Sequence, residues 1–213
     1  KHNPALGKGA FYLSGALAFL DAPGEWIYDT PLKTLYLRPP KNDDPNRHTI
    51  TARKRPLGLD LSGRSWILVD GIDLHGASAD LEGSVHCTIS RMTARYISHT
   101  RGGKTLSMLG EKSGIHITGR CNVIRDSEIA WSAGRGVSLG GSDNAIINCL
   151  IRHIDYIGAY CAPVSISGMR HLIRDNTISD AGRDCIKLGG AELLIQYNDI
   201  SRPGRICHDV GVI

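Results

Sequence analysis

The chain has 213 residues, 25 of them Gly, with 6% aromatics and a formal net charge of +4. That length supports one domain with a sizeable core, and the Gly-rich, aromatic-poor composition suits a turn-rich β protein of many short strands. Gly, Asp or Arg interrupts every apolar run, which excludes a membrane span, and Lys and Arg are scattered apart from Arg53-Lys54-Arg55, which excludes a nucleic-acid stripe.

Residues 1–56 read as an N-terminal β-hairpin and extended module, and residues 57–213 as repeating coils. The start, KHNPALGKGAFYL, has no signal-peptide h-region or cleavage site. A mature secreted protein or an excised fragment would begin this way. Two alternating runs, Trp26-Ile27-Tyr28-Asp29 and Thr34-Leu35-Tyr36-Leu37, flank the Pro31 turn and predict the hairpin, in which Glu25 and Asp29 are structural. Pro39-Pro40 and Asn42 to Asn46 then form a loop.

From residue 57 the sequence repeats. Leu74, Ala94, Ile129, Ile151, Ile178 and Ile200 anchor successive repeats at gaps of 20, 35, 22, 27 and 22 residues, the period of a solenoid. Five positions before each anchor stand Val69, Ile89, Ile124, Ile146, Ile173 and Ile195, all β-branched. Two before it stand Ile72, Met92, Ser127, Cys149, Asn176 and Asn198, with mostly polar residues between. This alternation is a strand with one buried face. Asn176 and Asn198 should hydrogen-bond up the stack. The last four repeats carry a second strand: Ile115, Val137, Val164 and Ile186, then Ile117, Leu139, Ile166 and Leu188. Each of these strands leads to a Gly (Gly119, Gly141, Gly168 or Gly190), which suggests a corner needing φ > 0. The early coils lack this second pattern. Like residues at like positions predict an all-β, right-handed parallel β-helix. The sequence stops at Val212-Ile213 inside a predicted strand with no cap. A solenoid truncated at its C-terminus is therefore expected, with self-association through the uncapped end.

The six cysteines (Cys87, Cys121, Cys149, Cys161, Cys185 and Cys207) form no CxxC pair and read as buried free thiols.

All length variation falls after the anchor, where the gap to the next strand is 8, 13, 8 or 10 residues. Insertions on one face of a repeat protein often mark its binding face. These loops collect Trp131 and Arg135; His153, Asp155, Tyr156 and Tyr160; Asp180, Arg183 and Asp184; and Arg202, Arg205, His208 and Asp209. The next strands project His116, Ser138, Ser165 and Lys187 outward. Aromatics suit sugar faces, Arg and Lys suit anionic groups, and carboxylates suit acid–base work. Each also has a structural alternative. Trp131 and the tyrosines would cap the core, Arg183–Asp184 would be a solvated ion pair, Asp180 a turn residue, His116 a solvated strand residue and Lys187 an edge charge.

The coils resemble the right-handed parallel β-helix proteins of the pectate-lyase-like superfamily. Leu20 to Pro40 (LDAPGEWIYDTPLKTLYLRPP) resembles the N-terminal hairpin module of bacterial members linked to polysaccharide breakdown. Tyr197 to Ile213 resembles the coil that often continues as Asp-x-Gly-x-Ile-Tyr, with Asp209 on its acidic position. The resemblance implies an extracellular or periplasmic protein whose partner is a polysaccharide or oligosaccharide, not a nucleic acid or a membrane. The leading reading is a glycoside hydrolase in which Asp184 and Asp209, on successive coils, divide the acid and base roles at about 5–9 Å, with His208 and Lys187 beside them. Trp131, Arg135, His153, Asp155, Tyr156, Arg183 and Arg205 would bind substrate. The alternative is a lyase or epimerase on a uronate chain. There Lys187 or His208 takes the C5 proton and Arg183 or Arg205 neutralises the carboxylate. No cofactor is needed for the first. Ca²⁺ held by Asp155, Asp184 and Asp209 is possible for the second. A non-catalytic glycan-binding solenoid is the third reading.

Overall fold

The computed structural model describes residues 15–98, 113–208 and 210–213. It divides into two compact units, Lys1–Ala52 and Arg53–Ile213. In the first, Trp26–Asp29 pairs antiparallel with Thr34–Leu37, Trp26 opposite Leu37 and Asp29 opposite Thr34. Asp29 Oδ1 accepts the Leu32 amide at 2.9 Å and closes the turn. Glu25 Oε2 accepts the Asp21 and Ala22 amides, both at 2.8 Å. Both carboxylates thus hold the hairpin, as expected.

The second unit is a right-handed parallel β-helix of three six-stranded parallel sheets. Sheet I runs from Leu68–Asp70 to Leu194–Gln196, sheet II from Asp73–His75 to Asp199–Ser201, and sheet III from Leu57–Asp60 to Ile186–Lys187. Each coil passes from III to I to II and returns to III through a variable loop. The predicted register holds. Val69, Ile89, Ile124, Ile146, Ile173 and Ile195 are successive partners in sheet I. The six anchors are successive partners in sheet II. The middle four of the first column are fully buried, and Val69 and Ile195 at its ends are partly so.

Sheet III corrects the reading of the early coils. Ser78–Leu81 pairs with the later strands, Leu81 opposite Ile117, and Leu57–Asp60 pairs with Ser78–Leu81 through a register shift between Leu57 and Leu59. Leu81 stands one residue further from its anchor than Ile117 does, so a fixed offset misses it. Leu188 departs the other way. Its strand ends at Lys187, and Leu188 falls just beyond it, half exposed.

The corners correct the glycine argument. Left-handed backbone is carried mainly by other residues, in three columns. The first is His86, Cys121, Asp143, Arg170 and Glu192; the second Arg91, Asp126, Asn148, Asp175 and Tyr197; the third Tyr96, Trp131, His153, Asp180 and Arg202. Gly141 and Gly168 do have φ > 0, but Gly119 and Gly190 do not. What the four share is proximity. A Cβ would meet the carbonyl oxygen of Ser84 at 1.7 Å from Gly119, of Gly119 at 2.1 Å from Gly141, of Gly141 at 2.1 Å from Gly168, and of Gly168 at 2.6 Å from Gly190. Successive coils touch backbone to backbone there.

Inside two corners run amide ladders. Asn176 Nδ2 donates to Asn198 Oδ1 at 2.9 Å, and Asn176 Oδ1 accepts the Cys149 amide at 2.9 Å. A second ladder was not foreseen. Asn122 Oδ1 accepts the Cys87 amide, Asn122 donates through both nitrogens to Asn144 Oδ1, and His171 Nδ1 accepts the Asn144 amide. All four are buried, so the ladder satisfies corner backbone groups that water cannot reach. All six cysteines are free.

Candidate functional site

The variable loops leave sheet II at one corner and enter sheet III. Asp80, His116, Ser138, Ser165 and Lys187 follow one another, in register, along the outward row of sheet III. His116 is buried rather than solvated, at 6% exposure. Ser165 is also buried, and its Oγ has no hydrogen-bond partner among the described residues. Lys187 ends the row and is exposed.

The loop at residues 155–163 brings Tyr160 to this row. Its ring, on a half-exposed residue, has Arg183 Cζ 4.0 Å and Lys187 Nζ 4.4 Å from its centroid. Two cations on one ring draw on its quadrupole and keep both heads near one spot. Arg135 and Lys187 both oppose the rise of the Cys161 thiol. Burial and Asp155 win, pushing that thiol up to about 11. Arg183 is held by Asp184, Nε to Oδ2 at 3.1 Å, and Asp184 Oδ1 accepts the Gly211 amide at 3.0 Å. This pair is not a solvated surface contact. Both side chains are mostly buried, at 19% and 22% exposure, and Asp184 orients the guanidinium.

Other predicted residues take different places. Asp155 is fully buried, and its oxygens accept the Ala159 amide at 2.5 Å and the Cys161 amide at 3.3 Å. It organises its own loop and is not open to substrate. Tyr156 packs on Ala133, Ala159 and Cys161, and burial raises its phenol. Trp131 stacks on His153 at 4.1 Å and on Tyr96 at 6.4 Å, so its ring faces are turned to neighbours rather than to a sugar. His153 belongs to the same stack. Asp180 prolongs that column. Arg202 forks onto both its oxygens at 2.8 Å, which holds its carboxyl down at about 2. Arg205 and His208 are exposed. Asp209 lies outside the described residues. Among those described, no three His, Cys, Asp or Glu side chains gather as a metal site. Asp155, with both oxygens taken by amides, does not fit the Ca²⁺ role.

A shallow depression at the sheet I–sheet II corner, lined by Asp126, Glu128, Asn148 and Asp175, has carboxylates but no free ones. Asp126 pairs with Arg125 and Asp175 with Arg174. Glu128 pairs with Arg95 and Arg152; burial pushes it up, and their hydrogen bonds outweigh that and hold it low. It is a surface ion-pair lattice.

Sequence reasoning put Arg183, Asp184, Lys187 and Arg135 on the variable-loop face, and the structure brings Arg183, Asp184 and Lys187 together there beside Tyr160. It gave Tyr160 no particular role, because the ring is tied to its two cations only through a loop whose path the periodicity does not predict.

The family described as right handed beta helix region matches residues 113–208. No curated protein and no solved structure matches the chain.

Proposed function

We propose that this β-helix protein acts on a uronate-containing glycan at the sheet III corner, cleaving it by β-elimination. The observation that carries this reading is the Tyr160 ring with Arg183 and Lys187 at 4.0 and 4.4 Å. An aromatic ring offers a sugar face, and two adjacent cations offer a carboxylate its counter-charge. Arg183 would bind the uronate carboxylate and stabilise the charge that builds on it as the C5–H bond breaks. Lys187, after giving up its ammonium proton to solvent, would take the C5 proton as the free amine. The electron pair left at C5 forms the C4–C5 double bond, the C4–O bond breaks, and the leaving oxygen takes a proton from solvent at this open corner. An external polysaccharide fits an extracellular or periplasmic protein.

The two-carboxylate hydrolase takes second place because both Asp184 oxygens are already engaged. The deciding experiment incubates the protein with polygalacturonate, alginate and a neutral glucan. Ultraviolet absorbance from an unsaturated product on a uronate polymer is expected. Reducing ends without that absorbance would make the protein a hydrolase. Binding with neither product would make it a glycan-binding solenoid.

A further inference from the structure

We infer that Asp155 is a positioning residue: its carboxylate clamps the two backbone amides that flank Tyr160 and so fixes the ring under Arg183 and Lys187. The inference deepens the proposed glycan site and rests on that reading for its functional meaning.

The clamp is geometric. Oδ1 takes the Ala159 amide at 2.5 Å and Oδ2 the Cys161 amide at 3.3 Å. Ala159 and Cys161 are buried, whereas Tyr160 between them is half exposed with φ at 66°. A left-handed non-glycine residue is sterically disfavoured and persists only where its surroundings impose it. Here the flanking amides are pinned from below. Asp155 is itself immobilised. Its amide donates to the Ser132 carbonyl at 2.7 Å, and its carbonyl accepts the Gly158 amide at 2.9 Å. Gly182 of the next coil sits so close that a Cβ would lie 1.8 Å from the Asp155 carbonyl oxygen. A rigid coil therefore passes its position to an exposed ring through two hydrogen bonds.

The groups facing the carboxylate are Arg183 and Asp184 from the next loop, Cys161 from its own, and Cys207 from the coil beyond. Burial pushes the Asp155 carboxyl up to about 7, against the pull of its two amides and of Arg183. Ionised, it accepts both amides strongly; protonated, it has one acceptor fewer to offer.

The test uses the full chain. In the ¹⁵N-labelled wild type, the Ala159 and Cys161 amides should shift together on one titration near neutrality, with the Tyr160 ring following. Asp155→Asn should raise exchange of the Ala159 or Cys161 amide about tenfold, one lost hydrogen bond's worth, and leave Ile151 unchanged. Binding of a galacturonate trisaccharide should weaken about tenfold in Asp155→Asn. Added to Tyr160→Ala, the same change should cause no further loss, since both act through one ring. Fully additive losses, or Ala159 and Cys161 amides that ignore the titration, would overturn the clamp. A trisaccharide that fails to bind the wild type would overturn the proposed function, while the amide response still decides the clamp. If Asp155→Asn does not fold, the wild-type titration decides alone.

Discussion

Asn198 Oδ1 accepts two hydrogen bonds from Asn176, one from its side chain and one from its backbone, both at 2.9 Å. One side chain thus closes a corner for the coil beneath it. Asn176 does the same for Cys149. Replacing Asn176 by Leu would strand the buried Cys149 amide and remove a donor to Ile146 and Asn198. A loss of about 1–3 kcal/mol is expected from unsatisfied buried groups, read as a lower urea midpoint. An unchanged midpoint would show that the ladder is not stabilising.

Gly119 separates two explanations of the glycine column. Its Cβ would fall 1.7 Å from the Ser84 carbonyl oxygen, although its φ is not positive. Gly63 has φ at 67° with open space around it. Gly119→Ala should therefore cost on the order of 3 kcal/mol or more through backbone displacement. Gly63→Ala should cost about 1 kcal/mol through strain alone. Equal melting temperatures for the two variants would reject the contact explanation.

The thiols give a labelling pattern. Denatured without reductant, the chain should yield all six, since all are free. In the native state burial pushes Cys149 up to about 12 and Cys161 and Cys185 up to about 11. These three should label at pH 8 only as the protein unfolds, because the thiolate is the nucleophile. Fast native labelling of Cys149 would place it outside the core.

Much of this was legible in advance because parallel stacking repeats a chemical environment every coil. β-branched columns and the Asn176–Asn198 pair follow from that repetition alone. The sequence misled where the repeat is not strictly periodic. Leu81 is displaced by one residue, and Asn122 and Asn144 are flanked in their column by Cys87 and His171, which obscures their ladder. The site was legible only as a corner. Trp131, exposed by its position, is spent on ring neighbours, and Asp155, charged by type, is buried beneath a loop.

Asp155 makes stability depend on pH in a direction opposite to most carboxylates. Its folded value, about 7, stands above the ordinary 3.8, so between these limits the folded state holds a proton that the unfolded chain has released. Raising the pH then favours unfolding, by about 1.4 kcal/mol per pH unit at the steepest. Its contribution should be greatest near pH 4, fall towards pH 7 and level off above. Urea midpoints of wild type and Asp155→Asn across that range measure it as a difference. A difference that stays constant with pH would refute it.

The chemistry is decided by comparing Lys187 with Asp209. In the elimination reading the proton acceptor is Lys187, whose Nζ lies 4.4 Å from the Tyr160 centroid. Lys187→Met keeps the stem and removes the amine. It should lower turnover on a uronate polymer at least about a hundredfold, the usual worth of a general base. Trisaccharide binding should fall much less, because Arg183 remains. Arg183→Ala should reverse the pattern and weaken binding along with turnover. Asp209→Asn removes a carboxylate and should leave elimination within about threefold, since no carboxylate takes the proton. A hydrolase would invert these results. Asp209→Asn would then lose about a hundredfold, and Lys187→Met would change little. Rates of ultraviolet-absorbing and of reducing-end product for the three variants measure both outcomes on the same samples.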